Sequence, residues 1–130
     1  MEIKDSKFYR DKCYINGEWV NAVSGETISV NNPANLKEIG TVPKCGTSET
    51  RNAIEAANNA WPEWRAKSAR QRSEILRKWF DLMIENKEEL AQIMTVEQGK
   101  PINESRGEIG YGASFVAVSY THLTLPTRTV

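Results

Sequence analysis

Two thiols, a single histidine and one glycine-rich run are the features of this 130-residue chain whose types invite chemistry. A thiolate is a nucleophile and a metal ligand, so Cys13 and Cys45 come first. A reactive thiol needs an electropositive, shaped site, and no motif sets a His or Glu beside either one. Cys13 falls in a predicted strand. Cys45 falls in the loop Pro43-Lys44-Cys45-Gly46-Thr47, where Lys44 offers at most a small shift. Both read as small apolar fillers or inert loop residues, and two unpatterned cysteines are too few for a disulfide framework. In Gly107-Glu108-Ile109-Gly110-Tyr111-Gly112 the glycine spacing reverses that of a dinucleotide loop and no strand precedes it. These glycines read as small residues for close helix packing. Asn103-Glu104-Ser105 fits a glycosylation sequon, but no secretion signal supports it. His122 lies in an atypical C-terminal stretch and is assigned no role.

The elements that must position these groups change character along the chain. Lys12-Cys13-Tyr14-Ile15, Asn16-Gly17 and Glu18-Trp19-Val20-Asn21 form a hairpin signal, because Asn-Gly accepts the positive φ angles of a type I′ turn. Thr27 to Asn31 is a further strand, ended at Asn32-Pro33, and Glu38 to Val42 is a fourth, ended by Pro43. The period then lengthens. Ile54, Ala57, Trp61 and Trp64 share one helical face, with Pro62 expected to kink or end that helix near Trp61. Ser68 with Gln71 three residues on is a capping box opening a second helix, whose stripe is Ile75, Leu76, Trp79, Phe80 and Met83. A third helix runs from about Lys87, with Leu90, Ile93, Met94 and Val96 inward. Gly99 caps it, and Pro101 starts a fourth that is expected to reach about Val116. The fold class is therefore α+β: a hairpin and short strands, then about four helices.

Charge is balanced, 17 Lys plus Arg against 17 Asp plus Glu, with an isoelectric point near 6.6. That argues against nucleic acid or an anionic membrane as partner, since both call for a basic excess. Met1 to Lys12 has neither the apolar stretch of a signal peptide nor the Arg-rich look of a transit peptide, so the expected location is cytoplasmic. Residues 117–130 are Thr-rich and free of acid and of helical period, and read as a linker-like, non-native tail behind a 1–116 unit.

Ile15-Asn16-Gly17-Glu18-Trp19, Asn32-Pro33-Ala34, Gly40-Thr41-Val42-Pro43 and Glu97-Gln98-Gly99-Lys100-Pro101 together resemble the N-terminal signature set of the aldehyde dehydrogenase superfamily. Each is weak alone; four in order with matching gaps are specific. Thr50-Arg51-Asn52-Ala53-Ile54-Glu55-Ala56-Ala57 and Gly107 to Phe115 are most similar to bacterial succinate-semialdehyde or glutarate-semialdehyde dehydrogenases. The resemblance covers about residues 8 to 116.

The resemblance implies part of the cofactor-binding N-terminal domain of an enzyme that oxidises an aldehyde with NAD or NADP. It also implies a homo-oligomeric parent whose nucleophile, base, oxyanion donor and dinucleotide site all lie beyond the matching stretch. Neither cysteine matches the family nucleophile motif, so no catalytic or cofactor-binding residue is expected in this chain, and the isolated chain is expected to be inactive. Carried over residue by residue, Val30 and Asn31 carbonyls with the Glu97 carboxylate are a candidate monovalent-cation set, of the oxygen type a hard cation takes. The other reading of Glu97 is a solvated residue at a helix end. Tyr111 and Phe115 are candidates for the substrate-tunnel wall, against the alternative of ordinary core aromatics. A second function class is a stand-alone interaction module that docks on a dehydrogenase. Because the helix stripes would pack on domains outside this chain, the isolated chain is also expected to associate and dissolve poorly.

Overall fold

The computed structural model describes residues 3–124, with side chains described as far as Val118. After a 3-10 turn at Ile3–Asp5, which no sequence signal marked, come β1 (Cys13–Ile15), β2 (Glu18–Val20), β3 (Thr27–Asn31) and β4 (Glu38–Pro43). Four helices follow: α1 (Thr47–Ala66), α2 (Ala69–Glu85), α3 (Lys87–Gln98) and α4 (Ile102–Thr124). The α+β class and the order of elements are those expected.

The strands form two separate antiparallel pairs, β1–β2 and β3–β4, and not one sheet. In the first, Tyr14 sits opposite Trp19, and their rings pack with centroids 5.2 Å apart. Asn16 and Gly17 both take positive φ, 52° and 83°, as a type I′ turn requires. In the second pair, the register steps from Val30↔Gly40 to Asn31↔Glu38, which leaves Ile39 as the extra residue of a bulge. Beyond β3, Asn32 Oδ1 accepts from the Ala34 N–H at 2.8 Å and closes the Asn-Pro turn.

Helix ends follow local chemistry. Ser68 and Gln71 satisfy each other reciprocally at the start of α2, with Ser68 N–H donating to Gln71 Oε1 at 2.8 Å. Gly99 takes φ 79° and donates its N–H to Thr95 O at 2.9 Å, the left-handed cap that its type allows. Two boundaries differ from expectation. α1 does not end at Trp61; it runs through Pro62 to Ala66. Pro62 removes one N–H, but the good helix formers that follow continue the turn, and a Lys67–Glu63 ion pair at 2.8 Å ties its last residues. α4 does not stop at Val116; its backbone continues to Thr124. Thr lowers helix propensity without breaking the hydrogen-bond ladder, and no Gly or Pro intervenes before Pro126.

The packed centre lies where α4 crosses α2 and α3. It is built from small side chains: Ser73, Ala91, Ser105 and Ala113 have at most 1% exposure. Small residues let helix backbones approach closely, and Ser105 Oγ meets Thr95 Oγ1 at 2.9 Å, which satisfies the buried hydroxyl. Inside α4, Gly112 faces Met83 and Gly110 faces Lys87, whereas Gly107 faces open space and does not serve helix packing. Arg106 clamps Glu88 with Nε and Nη2 each 2.8 Å from a carboxylate oxygen, joining α4 to α3. The large apolar residues mostly face outward: Ile54, Trp61, Ile75, Trp79 and Leu82 are all exposed.

Candidate functional site

The signature motifs converge. Gly99 lies against the Asn-Pro turn so closely that a Cβ built on it would stand 2.7 Å from Pro33 Cγ. This contact brings the end of β3, with Val30 and Asn31, to the end of α3, with Glu97. Beside it is a cavity of about 180 Å³ lined by Val30 and Glu97, together with Ile3, Tyr9, Ile39 and Ile93. Gly40 forms part of the same wall, and a Cβ there would press on the Tyr9 hydroxyl and displace that ring. Val30 is half-buried, while Asn31 and Glu97 are exposed. The structure thus places Val30 and Glu97 on one cavity, and Asn31 on the strand position next to the bulge. Among the described residues no group of three or more His, Cys, Asp or Glu side chains is arranged for a metal ion.

Tyr111 and Phe115 stand one helical turn apart on the outer face of α4. Their rings meet edge to face with centroids 4.8 Å apart, and both are exposed, 67% and 55%. Neither is a core aromatic of this chain. The glycine run that a dinucleotide loop would need at a strand-to-helix turn is inside α4, preceded by α3. The His122 side chain lies outside the described residues.

A second constellation was not legible in the sequence. Glu49, in the first turn of α1, is 5% exposed and accepts three hydrogen bonds: Val23 N–H at 2.6 Å, Gly46 N–H at 2.9 Å and Ser48 Oγ at 2.8 Å. The Val23 amide, then the Gly46 amide, hold its carboxyl down at about 2. The long-range bond from Val23 to Glu49 ties the β2–β3 connection to α1. Next to it, Cys45 Sγ lies 3.5 Å from Cys13 Sγ. The two thiols belong to different segments, and only the fold brings them into contact.

The aldehyde dehydrogenase family model matches residues 19–128. The chain belongs to the aldehyde dehydrogenase family. The chain is 59% identical over 116 residues to the glutarate-semialdehyde dehydrogenase of Pseudomonas putida, a match that covers 89% of the chain and 24% of that protein. It is 54% identical over 116 residues to the NADP(+) succinate-semialdehyde dehydrogenase of Escherichia coli, with the same shares, 89% and 24%. Among solved structures, an NADP-dependent enzyme of E. coli superposes with a TM-score of 0.84 at 55% identity, over 86% of this chain and 23% of that one. Succinate-semialdehyde dehydrogenase from Burkholderia pseudomallei gives 0.83 at 54% identity, over 86% and 23%. The chain therefore spans about a quarter of the length of the relatives it matches. These comparisons lend no support to a stand-alone interaction module.

Proposed function

We propose that this chain is the N-terminal framework of an NAD(P)-dependent semialdehyde dehydrogenase, whose parent oxidises succinate or glutarate semialdehyde to the dicarboxylic acid. The observation that carries the reading is identity of 59% and 54% over 116 residues to enzymes named for those substrates. The nicotinamide cofactor, when bound to the parent, accepts the hydride; the residues of this chain contribute position and not chemistry. Gly99 on Pro33 locks the end of α3 to the end of β3. Val30 and Asn31 carbonyls with Glu97 would hold a monovalent cation at that corner and stiffen it. Tyr111 and Phe115, packed edge to face and exposed, would form part of the aldehyde tunnel once the remainder of the parent closes over α4. The exposed stripe of Ile75, Trp79 and Leu82 fits the same closure or a subunit contact in a homo-oligomeric parent. Among the described residues, no helix is long and apolar enough to cross a membrane.

The test is a chimera. Residues 8–116 replace the matching segment of the P. putida enzyme, and turnover of both semialdehydes is measured with NAD and NADP. Retained turnover is expected. A soluble chimera that binds cofactor but does not turn over either aldehyde would overturn the reading, as would turnover by the purified 130-residue chain alone.

A further inference from the structure

We infer that Cys13 and Cys45 form a peroxide-responsive dithiol that closes to a disulfide and staples the β1–β2 hairpin to the start of α1. The two sulfurs are 3.5 Å apart although 32 positions separate them in the chain. A disulfide bond is about 2.05 Å long, so closure needs an approach of roughly 1.5 Å, within reach of a small side-chain rotation. Both thiols are free and half-buried. Cys45 also lines an open surface groove with Lys44, Gly46 and Glu49, by which a small oxidant can enter. Burial that is partial, together with a second thiol in contact, is the arrangement of a redox-sensing pair. Framework packing would be served equally by one cysteine and one apolar residue.

The donor order assigns the roles. The Cys45 S–H donates to Cys13 Sγ. That hydrogen bond, desolvation, the Cys13 sulfur and the Glu49 carboxylate push the Cys45 thiol up, which suits Cys45 to the second, resolving step. Cys13 sulfur attacks the terminal oxygen of a hydroperoxide, the O–O bond breaks, and an alcohol or water leaves. Cys13 is then a sulfenic acid, oxidised by two electrons. Cys45 sulfur next attacks Cys13 sulfur; the S–S bond forms, the S–O bond breaks, and the hydroxide departs with the Cys45 proton as water. In total two thiols and one hydroperoxide give one disulfide, one alcohol and one water.

The closed form links β1 to the residue just before Gly46, the N-cap of α1. It therefore fixes the loop that presents the Gly46 amide to Glu49. A thiol reductant reopens it.

The test exposes the reduced, purified chain to a stoichiometric amount of hydrogen peroxide and maps products by mass spectrometry. The expected product has lost two hydrogens and yields a peptide pair joined through Cys13 and Cys45. It forms at least about tenfold faster than in the same chain unfolded in guanidinium chloride, because the fold raises the effective concentration of one thiol at the other. Cys45→Ser leaves a Cys13 sulfenic acid that a dimedone probe traps, and Cys13→Ser leaves far less sulfenic acid at Cys45. Hydrogen exchange at the amides of residues 46–50 slows in the oxidised wild-type chain. Equal rates in the folded and unfolded chain, disulfides only between chains, or over-oxidation of either thiol with no internal bridge would each overturn the inference.

Discussion

Gly99 is the position where one methyl group tests the packing that brings the two signature turns together. Gly99→Ala meets two separate costs. The residue sits at φ 79°, where a side chain with a Cβ costs about 1–2 kcal/mol. The new Cβ also stands 2.7 Å from Pro33 Cγ, well inside the 3.5–4.0 Å of ordinary carbon contact. Overpacking of that kind costs about 1–3 kcal/mol. Together the loss is about 2–5 kcal/mol, which corresponds to roughly 30-fold to a few thousand-fold in a local opening equilibrium. The assay is amide hydrogen exchange across the last turn of α3, where the residue-99 N–H donates to Thr95 O. Exchange reads local opening without requiring the whole chain to unfold in one step. The decisive arm is a double-mutant cycle. Pro33→Ala removes Cγ and leaves Pro33 Cβ, 3.6 Å from the added methyl, as an ordinary neighbour. The pair Gly99→Ala with Pro33→Ala should therefore recover about 1–3 kcal/mol relative to the sum of the singles. Strict additivity of the two changes would show that the contact does not exist.

Other consequences follow from the same packing. Ala113→Leu forces three carbons into a site with 0% exposure between helices and should cost about 1–3 kcal/mol, read as faster exchange along α2 and α4; unchanged protection would contradict the crossing. Ser105→Ala strands the Thr95 hydroxyl that it meets at 2.9 Å and should cost about 1 kcal/mol; Ser105→Thr tests space at the same point, and a neutral outcome for both would sink the contact. The carboxyls of Glu49 and Glu88 are both held down at about 2, by backbone amides in the first case and by Arg106 in the second. Their stabilisation is in full above the unfolded value of about 4.3 and is lost as pH falls through the folded value. Glu49→Gln and Glu88→Gln should therefore be less stable than the wild type at neutral pH and converge with it near the folded value; a stability gap independent of pH would refute both assignments.

How much was legible in the sequence depended on the range of the interaction. The type I′ hairpin, the Ser68–Gln71 box and the Gly99 cap are decided by residues within four positions, and each stands as read. Pro62 and the Thr-rich stretch misled for one reason: each lowers local helix stability, yet neither outweighs the neighbouring turns that carry the helix on. The separation of the strands into two pairs, the Glu49–Val23 bond and the Cys13–Cys45 contact depend on how distant segments fold together, over 26 positions for the bond and 32 for the thiols. No local pattern records such contacts. Of the candidate cation set, Val30 and Glu97 line one cavity beside the Gly99–Pro33 contact, a juxtaposition that no motif records. The aromatic stripes were correctly periodic, but periodicity does not say whether the partner surface lies within the chain.

The most direct test of the framework assignment is the chimera carrying Cys13→Ser and Cys45→Ser together, assayed under reducing conditions with glutarate and succinate semialdehyde. If this segment only positions, kcat stays within about threefold of the parent chimera, since no reacting atom has been removed. A fall of several orders of magnitude, with cofactor binding intact, would place the nucleophile in this segment and contradict that assignment.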